Sequence, residues 1–224
     1  MTEKQIFDDW PERYDRWFTT PLGQAVLRHE SALVLELLRP GPGELILDAG
    51  SGTGIFTREF IARGAGVVGL DISHAMLRRA AVTNAAFAGR LVAADMMHLP
   101  FGDGVFDKAV SVTALEFIVN AERAIVELFR VTKPGGVIVA ATLNSLSPWA
   151  VRRRDDARQD PDSVFNRVIF RSPAELLALA PVPGVSGTAV HFAKDDDPAE
   201  LDRIEREGQG SEAGAFVAAR WVKG

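Results

Sequence analysis

A glycine-rich turn that follows a short apolar stretch carries the residue types best suited to hold a ligand. The run Leu45–Leu47 is typical of a buried parallel strand, and Asp48 ends it. Three glycines then alternate with other residues, at Gly50, Gly52 and Gly54. Because glycine lacks a Cβ atom, such a turn bends sharply and lets a ligand approach the backbone. The pattern predicts a site for a nucleotide-like ligand.

The spacing of these glycines excludes two common nucleotide sites. A dinucleotide-binding turn reads G-x-G-x-x-G, and from Gly50 it requires glycine or alanine at the position of Ile55. A P-loop ends in Gly-Lys-Ser/Thr, whereas Gly54 is followed by Ile55 and Phe56. An acidic residue followed by G-x-G-x-G instead resembles motif I of the class I S-adenosylmethionine (SAM)-dependent methyltransferases.

The resemblance implies that this turn contacts SAM. SAM carries no phosphate, so the turn must offer bare backbone to the ribose and the methionine tail. Asp48 is expected to accept hydrogen bonds near the cationic end of that tail. The cofactor contacts predicted on the turn are Asp48, Ala49, Gly50, Ser51, Gly52 and Gly54.

A second acidic residue, Asp71, ends the next apolar run, Gly66–Asp71. It lies 21 residues after Gly50, which is the spacing at which a carboxylate meets a ribose. A carboxylate can accept both vicinal hydroxyl protons at once. The alternative is an N-cap for the following helix, although Ser73 is the better cap. Ile72 is predicted to form an apolar plate against the adenine.

A third acidic residue, Asp95, opens the segment DMMHLPF. An acid followed by x-x-x-Leu-Pro-Phe resembles the segment of the family in which the carboxylate receives the adenine amino group and the next backbone unit touches the ring. These roles are transferred to Asp95 and Met96 as expectations. The alternative for Asp95 is a simple turn acid after a strand.

Aromatic residues recur at helical spacing over residues 6 to 18, which predicts an amphipathic helix. Such a stripe can simply pack on the domain. The string YDRWF also resembles the Y-D-x-W/F element of small-molecule methyltransferases, which caps the cofactor. Tyr14, the only tyrosine, is therefore a candidate contact that either orients the methionine carboxylate or caps a buried wall.

The acceptor side of the site is expected after the predicted strand Phe106–Val112. Ligands of parallel sheets lie beyond the carboxyl ends of the strands at the switch point, so the stretch from Thr113 to Phe117 should face the reactive methyl group. Glu116 is the titratable group in this stretch and the candidate catalytic residue. Relatives of this pattern often carry histidine at the corresponding place. Because this sequence departs from them, whether the reaction uses a general base is left open.

The segment after the fifth predicted strand is where a substrate loop would lie. Asn144, Ser147 and Trp149 are the residues predicted to line it. The stretch after the fourth strand lacks the Asn/Asp-Pro-Pro-Tyr/Phe signature, which disfavours methylation of adenine N6 or of amide nitrogen. The charged run over residues 152 to 162 predicts a mobile lid or a solvated helix.

The family resemblance is strongest over residues 44 to 142. The string ELFRVTKPGGVIVA resembles the ubiquinone/menaquinone-biosynthesis-like (type 11) small-molecule branch. It implies an α/β, Rossmann-like, seven-stranded and mostly parallel sheet of order 3-2-1-4-5-7-6, with helices on both faces and an N-terminal helical lid. We expect one domain, with a helical cap (1–40), a SAM-binding core (41–143), and a substrate loop with closing antiparallel strands (144–224).

Those closing strands are predicted over Val185–Phe192 and Ala215–Val222, with an exposed, charged excursion between them. The net charge of −5 at pH 7 argues against a broad nucleic-acid surface. No apolar run approaches the ~20 residues of a membrane span, and no signal peptide is visible. The absence of cysteine excludes a thiolate metal site and is compatible with a cytoplasmic protein; no metal is expected.

The sequence therefore predicts in-line transfer of the SAM methyl group to a nucleophilic O, N, S or C atom of a small-molecule acceptor, with S-adenosylhomocysteine (SAH) as the second product. Alignment and desolvation can supply most of the catalysis. A macromolecular acceptor and a non-catalytic SAM-fold module that binds partners are the alternatives, and Ile55 disfavours a nicotinamide oxidoreductase. The residues define neither the acceptor atom nor the oligomeric state.

Overall fold

The computed structural model describes residues 5–87 and 89–224. In this part of the chain seven strands form one sheet. They are β1 (Leu45–Ala49), β2 (Gly66–Asp71), β3 (Leu91–Ala93), β4 (Phe106–Val112), β5 (Thr132–Leu143), β6 (Gly184–Ala189) and β7 (Phe216–Val222).

The strand order is β3-β2-β1-β4-β5-β7-β6, which confirms the predicted order. The pairs from β3 through β5 are parallel, and β7 runs antiparallel to both β5 and β6. The order reverses between β1 and β4, where two crossovers leave the sheet in opposite directions. A crevice therefore opens at the carboxyl ends of these two strands, and that is where a ligand is expected.

Eight α-helices surround the sheet in the described residues. They are α1 (Pro11–Trp17), α2 (Pro21–Leu38), α3 (Thr57–Ala62), α4 (His74–Thr83), α5 (Ala121–Val131), α6 (Pro148–Gln159), α7 (Pro173–Leu177) and α8 (Leu201–Gly208). Among them we find none with both the length and the apolar character that crossing a membrane requires.

Neighbouring residues of β1 show how the sheet is covered on both faces. Side chains alternate along a strand, so Ile46 and Leu47 point in opposite directions, and both are fully buried. Ile46 lies in a core with residues of α2, α3 and α8, whereas Leu47 lies in a core with residues of α5 and α7. The predicted helices on both faces are confirmed.

The charged excursion between the last two strands is more ordered than predicted. It contains α8, whose Leu201 is buried in the core. Glu205 is also buried, and its two carboxylate oxygens accept hydrogen bonds from the amides of Val190 (3.0 Å) and His191 (2.7 Å). The expectation of an exposed excursion was therefore wrong for α8.

The sixth strand is shorter than predicted. It ends at Ala189, because Val190 has a φ of 64° and leaves the extended conformation. The first helix likewise begins only at Pro11, whose fixed φ suits a first helical turn.

Candidate active site

The turn after β1 combines three glycines with positive φ: 79° at Gly50, 55° at Gly52 and 78° at Gly54. A Cβ atom at Gly50 would lie 2.4 Å from Cβ of Ala114, so this position must be glycine for the turn to pack. At Gly52 an added Cβ would meet nothing within 4 Å. Gly52 therefore presents bare backbone to open space.

That open space is a cavity of about 460 Å³ at the carboxyl ends of β1, β2 and β4. Its size falls within the range of small-molecule sites, roughly 300–1,000 Å³. Ten of the residues predicted to contact the cofactor line it. They are Tyr14, Asp48, Gly50, Ser51, Gly52, Asp71, Ile72, Asp95, Met96 and Thr113.

Asp71 is held at the cavity wall by two backbone amides. Oδ2 accepts from the amide of Gly52 at 2.9 Å, and Oδ1 accepts from the amide of Ser73 at 2.8 Å. Each oxygen keeps acceptor capacity for a further donor, as two ribose hydroxyls require. The hydroxyl of Ser73 caps α4 through the amide of Met76, so the cap does not fall to Asp71. Burial raises the pKa of Asp71.

Asp48 is buried at the base of the same cavity. Its carboxylate accepts a hydrogen bond from the hydroxyl of Thr57, and burial raises its pKa to about 7. A cation brought close to Asp48 would favour the ionised carboxylate. The ammonium group of the methionine tail of SAM is such a cation, so Asp48 fits this end of the cofactor.

Another part of the lining of this cavity is apolar. Ile72 is 49% exposed although it is a large aliphatic residue, and it lies on the cavity wall with Met96. Asp95 lies beside them, with Oδ1 accepting from the amide of Met97 at 2.8 Å. An exposed aliphatic plate next to an acceptor matches the adenine ring and its amino group. The residues present therefore fit SAM.

The N-terminal segment covers the cavity, as the resemblance implied. The ring of Phe7 packs edge-on against Phe117, with centroids 4.8 Å apart. Nε of Arg79 on α4 donates to Oδ2 of Asp15 at 2.7 Å, which ties α1 to the sheet domain. The hydroxyl of Tyr14 forms a hydrogen bond with the side chain of Thr113, and burial raises the pKa of Tyr14 well above its usual range.

A second cavity, of about 360 Å³, lies next to the first. Phe7, Tyr14, Thr113 and Phe117 line both cavities, so these side chains form a shared wall. Thr113 has a φ of 48° directly after β4. Strain of this kind in a residue that is not glycine persists only where the surrounding structure imposes it, and such residues cluster at functional sites.

Glu116 lies in a short 3₁₀ turn at the floor of the second cavity and is 1% exposed. The hydroxyl of Thr142 donates to its Oε2 at 3.1 Å, and burial raises its pKa to about 7. The buried guanidinium of Arg171 donates to the carbonyls of Leu115 (3.1 Å) and Ile118 (3.5 Å). Arg171 thus holds the turn that positions Glu116.

Sequence reasoning missed two buried charged residues of the second cavity, Glu30 on α2 and Arg153 on α6. A signal for Glu30 was present, because it lies four residues after Val26 and four before Val34, both of which are buried. Arg153 was included in a charged run read as a mobile lid or solvated helix. That expectation is wrong for Arg153, whose guanidinium lies 5.0 Å above Trp149 and 5.2 Å above Phe165.

Two predicted substrate residues line neither cavity. The side-chain amide of Asn144 donates to the carbonyls of Glu212 (2.6 Å) and Gly214 (2.7 Å), which fixes the loop after β5. The hydroxyl of Ser147 caps α6 by accepting from the amide of Ala150 at 3.1 Å. Because the side chains of both residues are engaged in hydrogen bonds with the backbone, we correct their predicted role. They hold the loop after β5 and the start of α6 in place and do not line the pocket. Trp149 does line the second cavity, and its indole N–H donates to the carbonyl of Phe192 at 2.7 Å.

Two predicted cofactor residues also lie outside the linings of both cavities. Ala49 is fully buried at the end of β1. A Cβ at Gly54 would lie 2.6 Å from Cε2 of Phe87, so this glycine allows the turn to pack against that ring. In residues 5–87 and 89–224, no group of three histidine, aspartate or glutamate side chains is placed to hold a metal ion.

The sheet order, the glycine turn and the acids at the strand ends define the class of SAM-binding methyltransferase folds. Residues 47–140 match the model of a family described as a methyltransferase domain. A solved structure of a SAM-dependent methyltransferase from Thermotoga maritima, described as a possible histamine N-methyltransferase, superposes with a TM-score of 0.78. It shares 26% identity, and 98% of each chain is covered.

Two sequence relatives extend the match beyond the core. Malonyl-[acyl-carrier protein] O-methyltransferase of Erwinia pyrifoliae is 30% identical over 85% of this chain and 81% of its own. Demethylmenaquinone methyltransferase of Thermobifida fusca is 34% identical over 70% of this chain and 73% of its own. The chain belongs to the class I SAM-dependent methyltransferases, as the motifs predicted, and SAM is its cofactor.

Proposed function

We propose that this methyltransferase transfers the methyl group of SAM to a small molecule held in the second cavity. The observation that carries the proposal is the wall shared by the two cavities, formed by Phe7, Tyr14, Thr113 and Phe117. Cofactor and acceptor would meet there, and the wall contains the strained Thr113 at the switch point of the sheet.

The size of the second cavity supports a small acceptor rather than a macromolecule. Its walls come from the N-terminal segment, α2, α6 and the residues after β4, so a small molecule would contact several elements of the chain at once. The relatives named above differ in their acceptors: one name contains a malonyl group on a carrier protein, and another contains demethylmenaquinone. The chemistry of the acceptor must therefore follow from the cavity itself.

Each part of the site has a separate task in this proposal. Asp48 binds the methionine end of SAM, Asp71 binds the ribose hydroxyls, and Ile72 supports the adenine. Bound SAM supplies a methyl group on a sulfonium, which is already activated for transfer. The aromatic side chains exclude water and align the acceptor, and Glu116 orients the acceptor or takes its proton.

The experiment is a transfer assay with methyl-labelled SAM and a library of small molecules. We expect label in the small-molecule fraction. Glu116→Gln should lower turnover while the affinity for SAM is unchanged, because Glu116 lines only the second cavity. Label that appears only in protein or nucleic acid would contradict the proposal and support a macromolecular acceptor. We also propose that the reaction takes place in the cytoplasm, which fractionation of the source cells would test.

A further inference from the structure

The carboxylate of Glu30 has an unusual environment. The residue is 6% exposed and lines the second cavity. Among the described residues, no hydrogen bond or ion pair engages its carboxylate; Arg153 and Glu116 act on it only through longer-range electrostatics. A buried carboxylate without a partner is costly, so its presence in a native protein requires an explanation, such as a bound partner or a catalytic role. Glu30 therefore points to a ligand that donates to it.

A second buried carboxylate, that of Glu116, lines the same cavity. Burial raises the pKa of Glu30 to about 8 and that of Glu116 to about 7, and the neighbouring Glu116 adds to the rise at Glu30. A bound cation would favour the ionised form of both carboxyl groups, whereas a bound anion would disfavour it further. The two acids therefore favour a cationic acceptor over a carboxylate or a phosphate.

The walls of the cavity are aromatic. They include Trp10, Tyr14, Trp17, Phe117, Trp149 and Phe165, among them three of the four tryptophans and the only tyrosine of the chain. The faces of such rings attract cations. Arg153 shows that these rings accept one, since its guanidinium lies 5.0 Å from the centre of the Trp149 ring.

The basic residues at the cavity do not reverse this preference. Arg152 forms an ion pair with Asp195 at 2.5 Å, and Arg13 lies over Trp10 with exposed surface. Lys194 is exposed at the rim. The buried part of the lining therefore carries two acids, Glu30 and Glu116, against one guanidinium, that of Arg153, which stacks on the rings and lowers the pKa of both acids.

We propose that the acceptor is a protonated amine, whose nitrogen binds between the carboxylates of Glu30 and Glu116 inside the aromatic walls. This rests on the proposed function, because it names the acceptor of the same site. Glu30 is the binding group, and Glu116, which adjoins the shared wall through Phe117, is the proton acceptor.

The reaction of such an acceptor balances without a further reagent. The ammonium group gives one proton to the carboxylate of Glu116. The freed lone pair of nitrogen forms the new N–C bond to the methyl group, and the C–S bond breaks with its electron pair left on sulfur. The products are SAH, a methylated ammonium ion and protonated Glu116, so atoms and charge are conserved.

The test is calorimetric titration of the SAH-saturated protein with three probes that share a phenyl ring. These are 2-phenylethylamine, 2-phenylethanol and 3-phenylpropanoate, which present a cation, a neutral group and an anion at neutral pH. We expect the amine to bind about tenfold more tightly than the alcohol, and the carboxylate to bind most weakly. Equal affinity of amine and alcohol, preference for the carboxylate, or no binding of the amine would overturn the proposal.

A pair of isosteric variants locates the effect. Glu30→Gln should remove most of the preference for the amine and leave the affinity for the alcohol unchanged. Glu36→Gln makes the same change on the exposed face of α2. It should alter neither the preference for the amine nor the affinity for the alcohol. The probe comparison on the unaltered protein does not depend on either variant. Failure of SAH to bind would count against the proposed function, whereas SAH binding without amine preference would count against this inference alone.

Discussion

The amide of Gly52 donates a hydrogen bond to Oδ2 of Asp71 at 2.9 Å, across 19 residues of sequence. This hydrogen bond links the glycine turn after β1 directly to the acid at the end of β2. The same bond aims the carboxylate along the cavity wall, where the second lone pair of each oxygen is free for a ligand. Binding of the cofactor therefore depends on both elements together.

Replacement of Asp71 by alanine should weaken the binding of SAM and of SAH equally. Both ligands carry the ribose, and loss of two buried hydrogen bonds to a carboxylate costs on the order of 2 kcal/mol. Calorimetric titration measures the affinities, and circular dichroism checks that the variant is folded. Asp155→Asn on the exposed face of α6 is the matched control. An unchanged affinity in a folded Asp71→Ala protein would remove this residue from the site.

Alanine at two glycines of the turn should have different effects. At Gly52 the added Cβ has no neighbour within 4 Å, so the cost to stability is the strain of a positive φ, about 1–2 kcal/mol, while the methyl group obstructs the cofactor. At Gly50 the Cβ would also meet Ala114 at 2.4 Å, so stability should fall further. Thermal unfolding and SAM titration of both variants separate the two effects. Equal destabilisation with intact binding would contradict the geometry.

Arg171 should act on turnover through Glu116. Its guanidinium donates to three carbonyls around the turn, those of Leu115, Ile118 and Ile169. Lysine keeps the charge but cannot reproduce this fork. Arg171→Lys should lower kcat while the affinity for SAM stays the same. If kcat is unchanged in a folded variant, the positioning role of Arg171 is wrong; Arg167→Lys, outside both cavities, is the control.

The buried acids should make stability depend on pH. Burial raises the pKa of Glu30 to about 8 and that of Asp48 to about 7. The folded chain keeps these protons at pH values where unfolded carboxyl groups, with a pKa of about 4, have lost them. The free energy of unfolding should therefore fall as pH rises from about 5 to about 8, by about 1.4 kcal/mol per unit for each such group.

Denaturant unfolding at several pH values checks this dependence. The free energy of unfolding of the Glu30→Gln variant should fall less steeply with pH than that of the parent over the same window, because one buried acid is removed. Arg153 and Glu116 face this position in both proteins, so they do not account for the difference. The free energy of unfolding of the Glu36→Gln variant should depend on pH in the same way as that of the parent. A parent whose stability rises over this window would show that these acids are ionised in the folded state with favourable partners.

The order of the strands could be predicted from the sequence, but the exact ends of several elements could not. The order of the seven strands was implied by the family resemblance, whose motifs lie at the ends of β1, β2 and β3 and at the start of β5. The end of β6 could not be predicted, because the positive φ of Val190 leaves no mark in an apolar run. The helix α8 was hidden by its charged composition, although Leu201 and Glu205 share its buried face.

Much of the lining of the first cavity could be predicted, because its residues lie in short segments next to strand ends, as with Asp71 and Ile72. The lining of the second cavity could be predicted only in part, because it is assembled from distant helices. Glu30 and Arg153 are more than a hundred residues apart, and only packing brings them to one cavity. The sequence around Asn144 also gave no sign that its side-chain amide donates hydrogen bonds to two backbone carbonyls.

The central claim is that the cavity beside Gly52 and Asp71 binds SAM. The most direct test is thermal unfolding of the purified chain with SAM, SAH or NAD. A ligand at about 100 times its dissociation constant should add about 2.7 kcal/mol to the free energy of unfolding. The account predicts this shift with SAM and with SAH and none with NAD. No shift with SAM or SAH, or a shift with NAD alone, would contradict it.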